Sequence, residues 1–297
     1  MFINIVLFFY NMRFLIIGDL HGQKPVIHFT QFDAIIAPGD FCSDALRTVM
    51  FQALRKNLKN PNTNVRWWKL LGEEKARMMV RQSLTDGRTI LEYLNRFGVP
   101  VYVLPGNWDW HPENDYVGWS YLKQDYWQQL IKGLANIHDM HLRFFDIGDY
   151  LLIGHGVTSG PEYPQHPEEI AKFTKAQLLK KKQAYQKRFA KMNSLFTKAT
   201  KPVIFLTHNV PFNTPIDEIT DKNSPRVGYH FGSLLARELI EKHQPLVCIG
   251  GHMHEHFTSC RIGKTTAINA GFGSFVNVLL ELQSNTIQKL EFHQKKS

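Results

Sequence analysis

The sequence predicts an α/β protein, and two features of its pattern indicate this class. Short runs of apolar, mostly β-branched or aromatic residues recur along the chain, as buried strands require. Stretches with the helical spacing of apolar residues separate several of these runs. The runs that we predict to be strands are residues 14–17, 32–37, 99–104, 140–145, 150–153, 203–206, 246–249, 265–270 and 276–282. Strands that alternate with helices in this way are typical of sheets wound with helical crossovers.

Length and composition limit the possible architectures. A chain of 297 residues with 43% hydrophobic content can bury one large core or two small ones. The sequence contains no internal repeat and no low-complexity linker, so we predict a single domain over residues 1–297. Its three cysteines show neither a Cys-x-x-Cys pair nor the spacing of a disulfide framework, which favours a reduced, cytoplasmic setting. The net charge of +9 indicates a polyanionic or phosphorylated partner.

The apolar N-terminus, residues 1–11, differs from a signal or membrane segment. It has no basic start and no small-residue cleavage site, and Asn11 and Arg13 interrupt the apolar run. The run is also too short to span a bilayer. We therefore predict an N-terminal extension on a protein that has no membrane association.

The segment 43–97 is helical in its pattern and strongly basic. Residues 60–62 interrupt it as a loop, and we predict one helix over 65–97 with a weak point at 86–87.

A second basic segment, residues 168–200, is predicted to be one long helix. Basic residues around aromatic ones, such as Trp67 and Trp68 in the first segment, can grip nucleic acid. We favour the alternative, in which both segments are solvated helix faces and the tryptophans are buried.

Polar side chains with the chemistry of metal ligands come directly after five predicted strands. Asp19 and His21 follow the first strand and project to the same side, because residues i and i+2 share a side in an extended chain. The groups at the five strand ends are Asp19, His21, Asp40, Asn107, His208, His252 and His254. Ligand sites in crossover-wound sheets form at the carboxyl ends of strands, where all of these groups lie. These seven groups are about the number of protein ligands that two adjacent divalent ions need, if one carboxylate bridges the ions and water completes their coordination.

This ordered set of Asp-x-His, Gly-Asp, Gly-Asn, an isolated His and Gly-His-x-His resembles the calcineurin-like metallophosphoesterase superfamily. The resemblance covers most of the chain, from Asp19 to His254. It implies a four-layer αββα sandwich, in which two mixed β-sheets pack face to face with helices outside. It also implies ligand roles, which are Asp19, His21 and His254 for one metal, Asn107, His208 and His252 for the other, and Asp40 as the bridge.

The predicted chemistry is the hydrolysis of phosphate esters. Two cations a few ångströms apart lower the pKa of a shared water, and the resulting metal-bound hydroxide attacks phosphorus in line. The mixed oxygen and nitrogen ligands suit manganese, and also iron, zinc or nickel. Ligand imidazoles need a partner on their other ring nitrogen, and Asp109 is our candidate for it. The predicted catalytic residues are therefore Asp40, Asn107 and Asp109.

One position departs from the family's pattern. Its third motif is usually Gly-Asn-His-Asp or Gly-Asn-His-Glu, in which the His is taken as the acid for the leaving oxygen, but this chain has Trp108 there. Indole does not give up its proton at useful pH, and general acid catalysis typically contributes ~10²–10⁴-fold. His111 and His155 are candidates to replace the acid, and a structural role is the alternative for each. Family members without this His often resemble phosphodiesterases, so we predict a phosphodiesterase.

Three hypotheses about function remain open. A phosphodiesterase acting on a small molecule or nucleotide is favoured by the complete metal set. A nuclease on the same site is favoured by the basic helices, and a phosphomonoesterase is a further variant. A non-catalytic binding module is disfavoured, because such proteins usually lose ligands and none is lost here. The enzymatic hypotheses share a phosphate-ester substrate, possible forms being a nucleotide or nucleic acid, and none of them specifies an oligomeric state.

Residues 211–232 have little periodicity and several prolines and glycines, which predicts a loop over the site. Arg226 and His230 are candidate substrate contacts because of their charge and their position after the strand with His208. A solvated Arg226 is the alternative. Trp108 and His155 complete the predicted substrate contacts.

Overall fold

The computed structural model describes residues 11–60, 63–114, 119–222, 224 and 226–294. Within these residues, strands form two six-stranded sheets. Residues 1–10, which make up most of the predicted N-terminal extension, lie outside the described residues.

The first sheet consists of four parallel strands with a hairpin added at one edge. Its strands are β1 (Met12–Ile16), β2 (Ala34–Ala37), β3 (Val101–Val103), β4 (Ile137–Asp139), β11 (Val276–Gln283) and β12 (Thr286–Gln294). Their order in the sheet is β12-β11-β1-β2-β3-β4. The strands β1 to β4 pair in parallel, whereas β11 pairs antiparallel with both β1 and β12. The carboxyl ends of β1, β2 and β3 therefore lie at the same edge.

The second sheet also has a parallel centre. Its strands are β5 (Phe144–Asp146), β6 (Leu151–His155), β7 (Val203–Asn209), β8 (Val247–Gly251), β9 (Ser259–Ile262) and β10 (Thr265–Asn269). Their order is β5-β6-β7-β8-β10-β9, with antiparallel pairing only at the two outer strands. The predicted hairpin is confirmed as β5 and β6, in which Phe144 pairs with Ile153.

Helices cover the outer faces of both sheets. They are α1 (Arg47–Lys59), α2 (Trp67–Leu71), α3 (Glu73–Asn95), α4 (Tyr126–Ile131), α5 (Pro167–Ile170), α6 (Lys175–Phe196) and α7 (Leu234–His243). Alternation along β1 places Phe14 and Ile16 in the core between the sheets and Leu15 in the core under α1 to α4. A third core lies between the second sheet and the helices α6 and α7. These layers confirm the predicted four-layer αββα sandwich.

The first basic segment breaks at a different place from the prediction. Gly72, with a φ of +88°, separates α2 from α3, so the single helix predicted over 65–97 is wrong. The predicted weak point at 86–87 is also wrong, because both residues lie inside α3. A Cβ on Gly87 would lie 2.5 Å from the Sγ of Cys42, so this glycine allows α3 to approach the loop after β2.

The second basic segment contains two helices instead of the one predicted over 168–200. Thr174 begins α6 with a capping box, in which its hydroxyl accepts from the backbone N–H of Gln177 at 3.2 Å. That cap stops α6 from continuing back into α5. The buried residues of α6 are Met192 and Phe196, so its basic side is solvated, as we favoured.

The two tryptophans of α2 point into the protein. Trp67 and Trp68 are buried, as expected, and pack against Trp119. In the part of the chain that the structure describes, no helix combines the length and the hydropathy needed to cross a membrane.

Three strands were not predicted from the sequence. The strand β4 has only three residues, and β9 and β12 are polar and partly exposed. The hydrophobic pattern of these strands is weak, because each strand has a face in contact with solvent or lies at a sheet edge.

Candidate metal centre

The ends of five strands bring the predicted metal ligands to one edge of the sandwich. The first sheet contributes Asp19, His21, Asp40 and Asn107, which follow β1, β2 and β3, and the second contributes His208 in β7 and His252 and His254 after β8. The two sheets therefore supply ligands from opposite sides.

The first cluster consists of Asp19, His21 and His254, whose candidate ligand atoms all lie within 4.8 Å of one another. The Nε2 of His254 lies 3.1 Å from Oδ2 of Asp19 and 3.3 Å from Nε2 of His21. The Oδ1 of Asp19 is buried, and no described residue donates a hydrogen bond to it. A buried carboxylate oxygen needs a compensating partner. A divalent cation held by this oxygen and the two imidazoles meets that need.

The second cluster consists of Asp40, His208 and His252, and its ligand atoms also lie within 4.8 Å of one another. The Oδ1 of Asn107 lies 3.0 Å from Nε2 of His208. The other nitrogen of this ring, Nδ1, donates to the carbonyl oxygen of Pro38 at 2.9 Å. That bond directs Nε2 towards the oxygen atoms of Asn107 and Asp40, the orientation that a metal ligand requires.

Asp40 lies between the two clusters. Its Oδ2 is 3.5 Å from Nε2 of His21 and 3.5 Å from Nε2 of His208. Burial alone would raise the pKa of Asp40, but the nearby imidazoles, His208 first, hold it well below its usual range. Burial in turn lowers the pKa of His208, but the charge of Asp40 outweighs it and raises that pKa to about 9. The position therefore stabilises positive charge, and a divalent ion competes with a proton for the same atoms.

The structure corrects the role predicted for Asp109. Its carboxylate accepts hydrogen bonds of 2.8–2.9 Å from four backbone N–H groups, those of Asp40, Phe41, Cys42 and Gly106. These donors are all backbone groups, and for the ring of His208 it is Pro38, and not Asp109, that supplies the partner. Asp109 is completely buried. Its contacts position the loop that carries Asp40.

Three of the ligand positions have unusual backbone conformations. His21, Asp40 and His252 have φ values of +44°, +57° and +67°, in the left-handed region that non-glycine residues rarely adopt. Such conformations persist only where the surroundings impose them, and they concentrate at functional sites. For Asp40, the surroundings are the hydrogen bonds to Asp109.

Two aromatic rings border the first cluster. The centroid of the Trp108 ring lies 6.2 Å from that of the His21 ring. The backbone N–H of Trp108 donates to Oδ1 of Asp40 at 2.8 Å. Phe272 stacks on His254 at 4.2 Å and is 37% exposed. Sequence reasoning missed Phe272. Its glycine-flanked turn directly after β10 is the same strand-end signal that identified the ligands.

Neither histidine considered as a replacement acid lies in the two clusters. His155 is only 3% exposed, and alternation along β6 places it on the outer face of the sheet with Leu151 and Ile153. His155 therefore lies apart from the two clusters, and its contact with substrate stays a prediction. Burial, together with the charge of His141, lowers the pKa of His111 to about 4. His111 is thus uncharged at neutral pH and is a poor proton donor there.

A third group, His111, Glu113 and His141, also has candidate ligand atoms within 4.8 Å of one another. Backbone N–H groups donate to Nδ1 of both rings, from Glu113 to His111 at 3.1 Å and from Gly156 to His141 at 3.0 Å. Because Nδ1 accepts in both rings, the ring hydrogen lies on Nε2, which then offers no lone pair to a metal. Glu113 also pairs with Arg188 of α6. We interpret this group as a hydrogen-bond network that ties α6 to the loop after β3.

The loop after β7 contains the two remaining candidates. Arg226 pairs with Glu169 at 2.9 Å, and its guanidinium lies 4.8 Å over the ring of Phe231. The Nδ1 of His230 lies 2.8 Å from Oδ1 of the buried Asp217. Both candidate side chains are partly exposed, and their contact with substrate stays a prediction.

Comparisons with known proteins agree with this geometry. The model of a family described as calcineurin-like phosphoesterase matches residues 12–256. The crystal structure of TT1561 from Thermus thermophilus is 16% identical, with a TM-score of 0.50 over 96% of this chain and 99% of that one. The crystal structure of the phosphopantetheinyl hydrolase PptH from Mycobacterium tuberculosis is 10% identical, with a TM-score of 0.51 over 89% and 90%. At these identities the two structures show a shared fold. No curated protein matches the chain significantly in sequence.

The position of Asp40 predicts that its replacement affects both clusters. Asp40→Asn should weaken both metal sites by more than about 100-fold, because an amide oxygen is a poor bridge between two cations. His254→Ala should weaken chiefly one, since this ring belongs to the first cluster. Metal content after dialysis, measured by mass spectrometry, checks both results, and His293→Ala on β12 serves as the control. Two full equivalents of metal in Asp40→Asn would contradict the bridge.

The hydrogen bonds of Asp109 predict a large cost for an isosteric change. Asp109→Asn should lower the free energy of unfolding by about 3 kcal/mol or more, because the new amide group faces N–H donors that then lose their acceptor. Metal affinity should fall by about 10- to 100-fold as the Asp40 loop relaxes. Urea denaturation and metal titration measure the two effects. Asp146→Asn, at an exposed surface pair with Lys201, is the matched control and should leave both nearly unchanged. Wild-type stability in Asp109→Asn would refute the positioning role.

Proposed function

The chain belongs to the calcineurin-like phosphoesterases, a family of metal-dependent phosphate-ester hydrolases with two divalent ions, and we propose that within this family it is a phosphodiesterase. The observation that carries the proposal is the pair of ligand clusters joined by Asp40. Aromatic rings border the first cluster, and one of them, the indole of Trp108, stands where the family has an acid. The complete pair of ligand clusters disfavours the non-catalytic alternative.

We propose that the clusters divide the two ions between them. Asp19, His21 and His254 hold one, Asn107, His208 and His252 hold the other, and Asp40 contacts both. When bound, such ions neutralise charge on phosphoryl oxygens and supply a water of lowered pKa as nucleophile. Two carboxylates, one amide oxygen and four imidazoles form a mixed set that we assign to manganese.

The surroundings of the first cluster favour a diester. A monoester dianion has a third non-bridging oxygen, which shares its negative charge and needs donors, whereas a diester has an esterified organic group in that place. The walls beside His21 are the indole of Trp108 and the ring of Phe272, with centroid distances of 6.2 and 5.4 Å. These apolar walls suit an esterified group better than an ionised oxygen.

Proton supply supports the same conclusion. Trp108 occupies the place after Asn107 and provides no acid at useful pH. His111 is uncharged at neutral pH, and His155 is buried on the other face of its sheet. The enzyme we propose therefore acts on esters whose leaving group departs with little help from an acid.

We also propose a reduced, cytoplasmic setting and a single domain for this chain. The three cysteines, Cys42, Cys248 and Cys260, are free, which supports the reduced, cytoplasmic setting. Each sheet contributes side chains to a core on both of its faces, and the two sheets share the core between them. This continuous packing supports a single domain. A nuclease is the second candidate, and the solvated basic side of α6 favours it.

A pair of aryl phosphates tests the proposal. With Mn²⁺, the protein should cleave bis-p-nitrophenyl phosphate with a kcat/KM at least about 10-fold above that for p-nitrophenyl phosphate, because the aromatic walls accept a second ester group. Release of p-nitrophenol is the measurement, and EDTA should abolish it. A preference for the monoester would replace this proposal with a phosphomonoesterase, and cleavage confined to DNA or RNA would replace it with a nuclease.

The place of Trp108 leads to a second prediction. Trp108→His should restore a proton donor, and alkyl phosphate monoesters, which have poor leaving groups, should gain most, by about 10²-fold. The gain for p-nitrophenyl esters should be small, since their leaving group departs unaided. Trp108→Phe is the matched control, because it removes the indole and adds no acid. Metal content is measured alongside the rates. Full metal occupancy without a preferential gain on alkyl monoesters would show that residue 108 is not at the acid's place.

A further inference from the structure

A cleft of about 440 Å³ lies between the loop 157–164, the segment around α5 and the loop after β7. We call it the basic cleft. Its lining includes Thr158, Pro161, Lys172, Lys181, Arg226 and Phe231. None of these residues belongs to the two metal clusters.

Both walls of the basic cleft are hydrogen-bonded to segments that carry proposed metal ligands. The N–H of Val157 donates to the carbonyl oxygen of Pro105 at 2.7 Å, two residues before Asn107. The side chain of Asn209, the residue after the ligand in β7, donates to the carbonyl oxygen of Phe231 at 2.9 Å. The walls of the cleft are therefore fixed to the loops that carry Asn107 and His208 of the second cluster.

The walls of the cleft are preformed. Glu162 in its loop accepts from the hydroxyl of Ser233 at 2.6 Å and from the N–H of Leu235 at 3.1 Å, at the start of α7. Gly160 packs so closely on Phe231 that an added Cβ would lie 2.7 Å from the ring. A ligand entering the cleft therefore meets surfaces that are already ordered, which reduces the entropic cost of binding.

The charges of the cleft favour an anion. Its cations are Lys172, Lys181 and Arg226, and its acids are Glu162 and Glu169. Glu162 is engaged by the N-terminus of α7, where the helix dipole favours a negative charge. Glu169 pairs with Arg226 at 2.9 Å. The three cations outnumber the two acids. The carboxylate of Glu169 occupies the place beside the Arg226 guanidinium that an anionic ligand would take.

Aromatic rings hold two of the cations in position. The guanidinium of Arg226 lies 4.8 Å over Phe231, and Nζ of Lys181 lies 4.8 Å over Phe173. A guanidinium that rests on a ring keeps its N–H edge available for a bidentate anion such as phosphate. The same rings give the cleft apolar walls.

We propose that the basic cleft binds a second phosphate group of the substrate, so that the substrate class is a small phosphodiester that carries a further phosphate. This inference rests on the proposed function for the scissile ester and adds the group that lies beside it. Arg226 binds the second phosphate, and Glu169 competes with that phosphate for the guanidinium.

Two thymidine nucleotides that differ by one phosphate test the proposal by binding alone. The Mn²⁺-loaded protein should bind thymidine 3′,5′-bisphosphate about 10- to 100-fold more tightly than thymidine 5′-phosphate, as expected for a hydrogen-bonded charge pair. Calorimetric titration measures both affinities. Arg226→Ala should remove most of this difference. Glu169→Gln should increase it, because the competing carboxylate is gone.

The opposite signs of these two variants separate ligand binding from a structural role. If the ion pair of Arg226 and Glu169 only held the loop, both variants would change the difference in the same direction. Lys264→Ala, which removes one positive charge between β9 and β10, is the control for net charge and should leave the difference unchanged. Equal affinities of the wild-type protein for the two nucleotides would overturn the inference.

Kinetics distinguish failure of this inference from failure of the proposed function. Thymidine 5′-(p-nitrophenyl phosphate) with a 3′-phosphate should show a KM about 10-fold below that of the same ester without it, and Arg226→Ala should raise the KM of the phosphorylated ester alone. A binding difference without turnover of either ester would overturn the phosphodiesterase and retain the cleft. Turnover of both esters at the same KM would overturn the cleft and retain the phosphodiesterase. A preference that appears only with oligonucleotides would overturn the small substrate in favour of a nucleic acid strand.

Discussion

The four hydrogen bonds that Asp109 accepts are the interaction on which the rest of the metal centre depends. They join the loop after β2 to the loop after β3, which come from different parts of the chain. They also hold Asp40 in its left-handed conformation, and the side chain of Asp40 then reaches one histidine of each cluster. A buried carboxylate with all its acceptor positions directed at backbone N–H groups forms a rigid joint, because moving either loop would leave donors unpaired. The position of Asp40 between the clusters is therefore stabilised by a residue that belongs to neither.

Close approach of backbone to carboxylate is the second constraint. A Cβ on Gly106 would lie 2.1 Å from Oδ1 of Asp40, and a Cβ on Gly251 would lie 2.3 Å from Oδ1 of Asp19. Each of these glycines lets a strand end pass directly beside a ligand from another strand. The glycine of each motif is thus required by packing against a ligand, in addition to any turn that it makes.

The aromatic rings at the first cluster and the basic cleft differ in chemistry. Aromatic rings, Trp108 and Phe272, border the first cluster, whereas the loops that carry Asn107 and His208 adjoin a cleft lined by cations. The substrate that we propose, a phosphate ester with an apolar group and a further phosphate, matches this difference. In that proposal the surroundings of the clusters determine substrate orientation, since the ligand clusters themselves are similar.

The two clusters of candidate metal ligands could be predicted from the sequence, because strands end in recognisable apolar runs and residues with oxygen or nitrogen ligand atoms follow them directly. The layered α/β architecture followed from the same alternation, and so did the burial of Trp67 and Trp68. Helix ends were predicted less well, since the break at Gly72 and the packing of Gly87 on Cys42 depend on what lies against the helix. The partners of Asp109, the burial of His155 and the cleft around Arg226 were decided only by the tertiary structure. Each of these features depends on contacts between residues far apart in the chain. The local sequence around a residue does not indicate which backbone donor, sheet face or loop will lie next to that residue after folding.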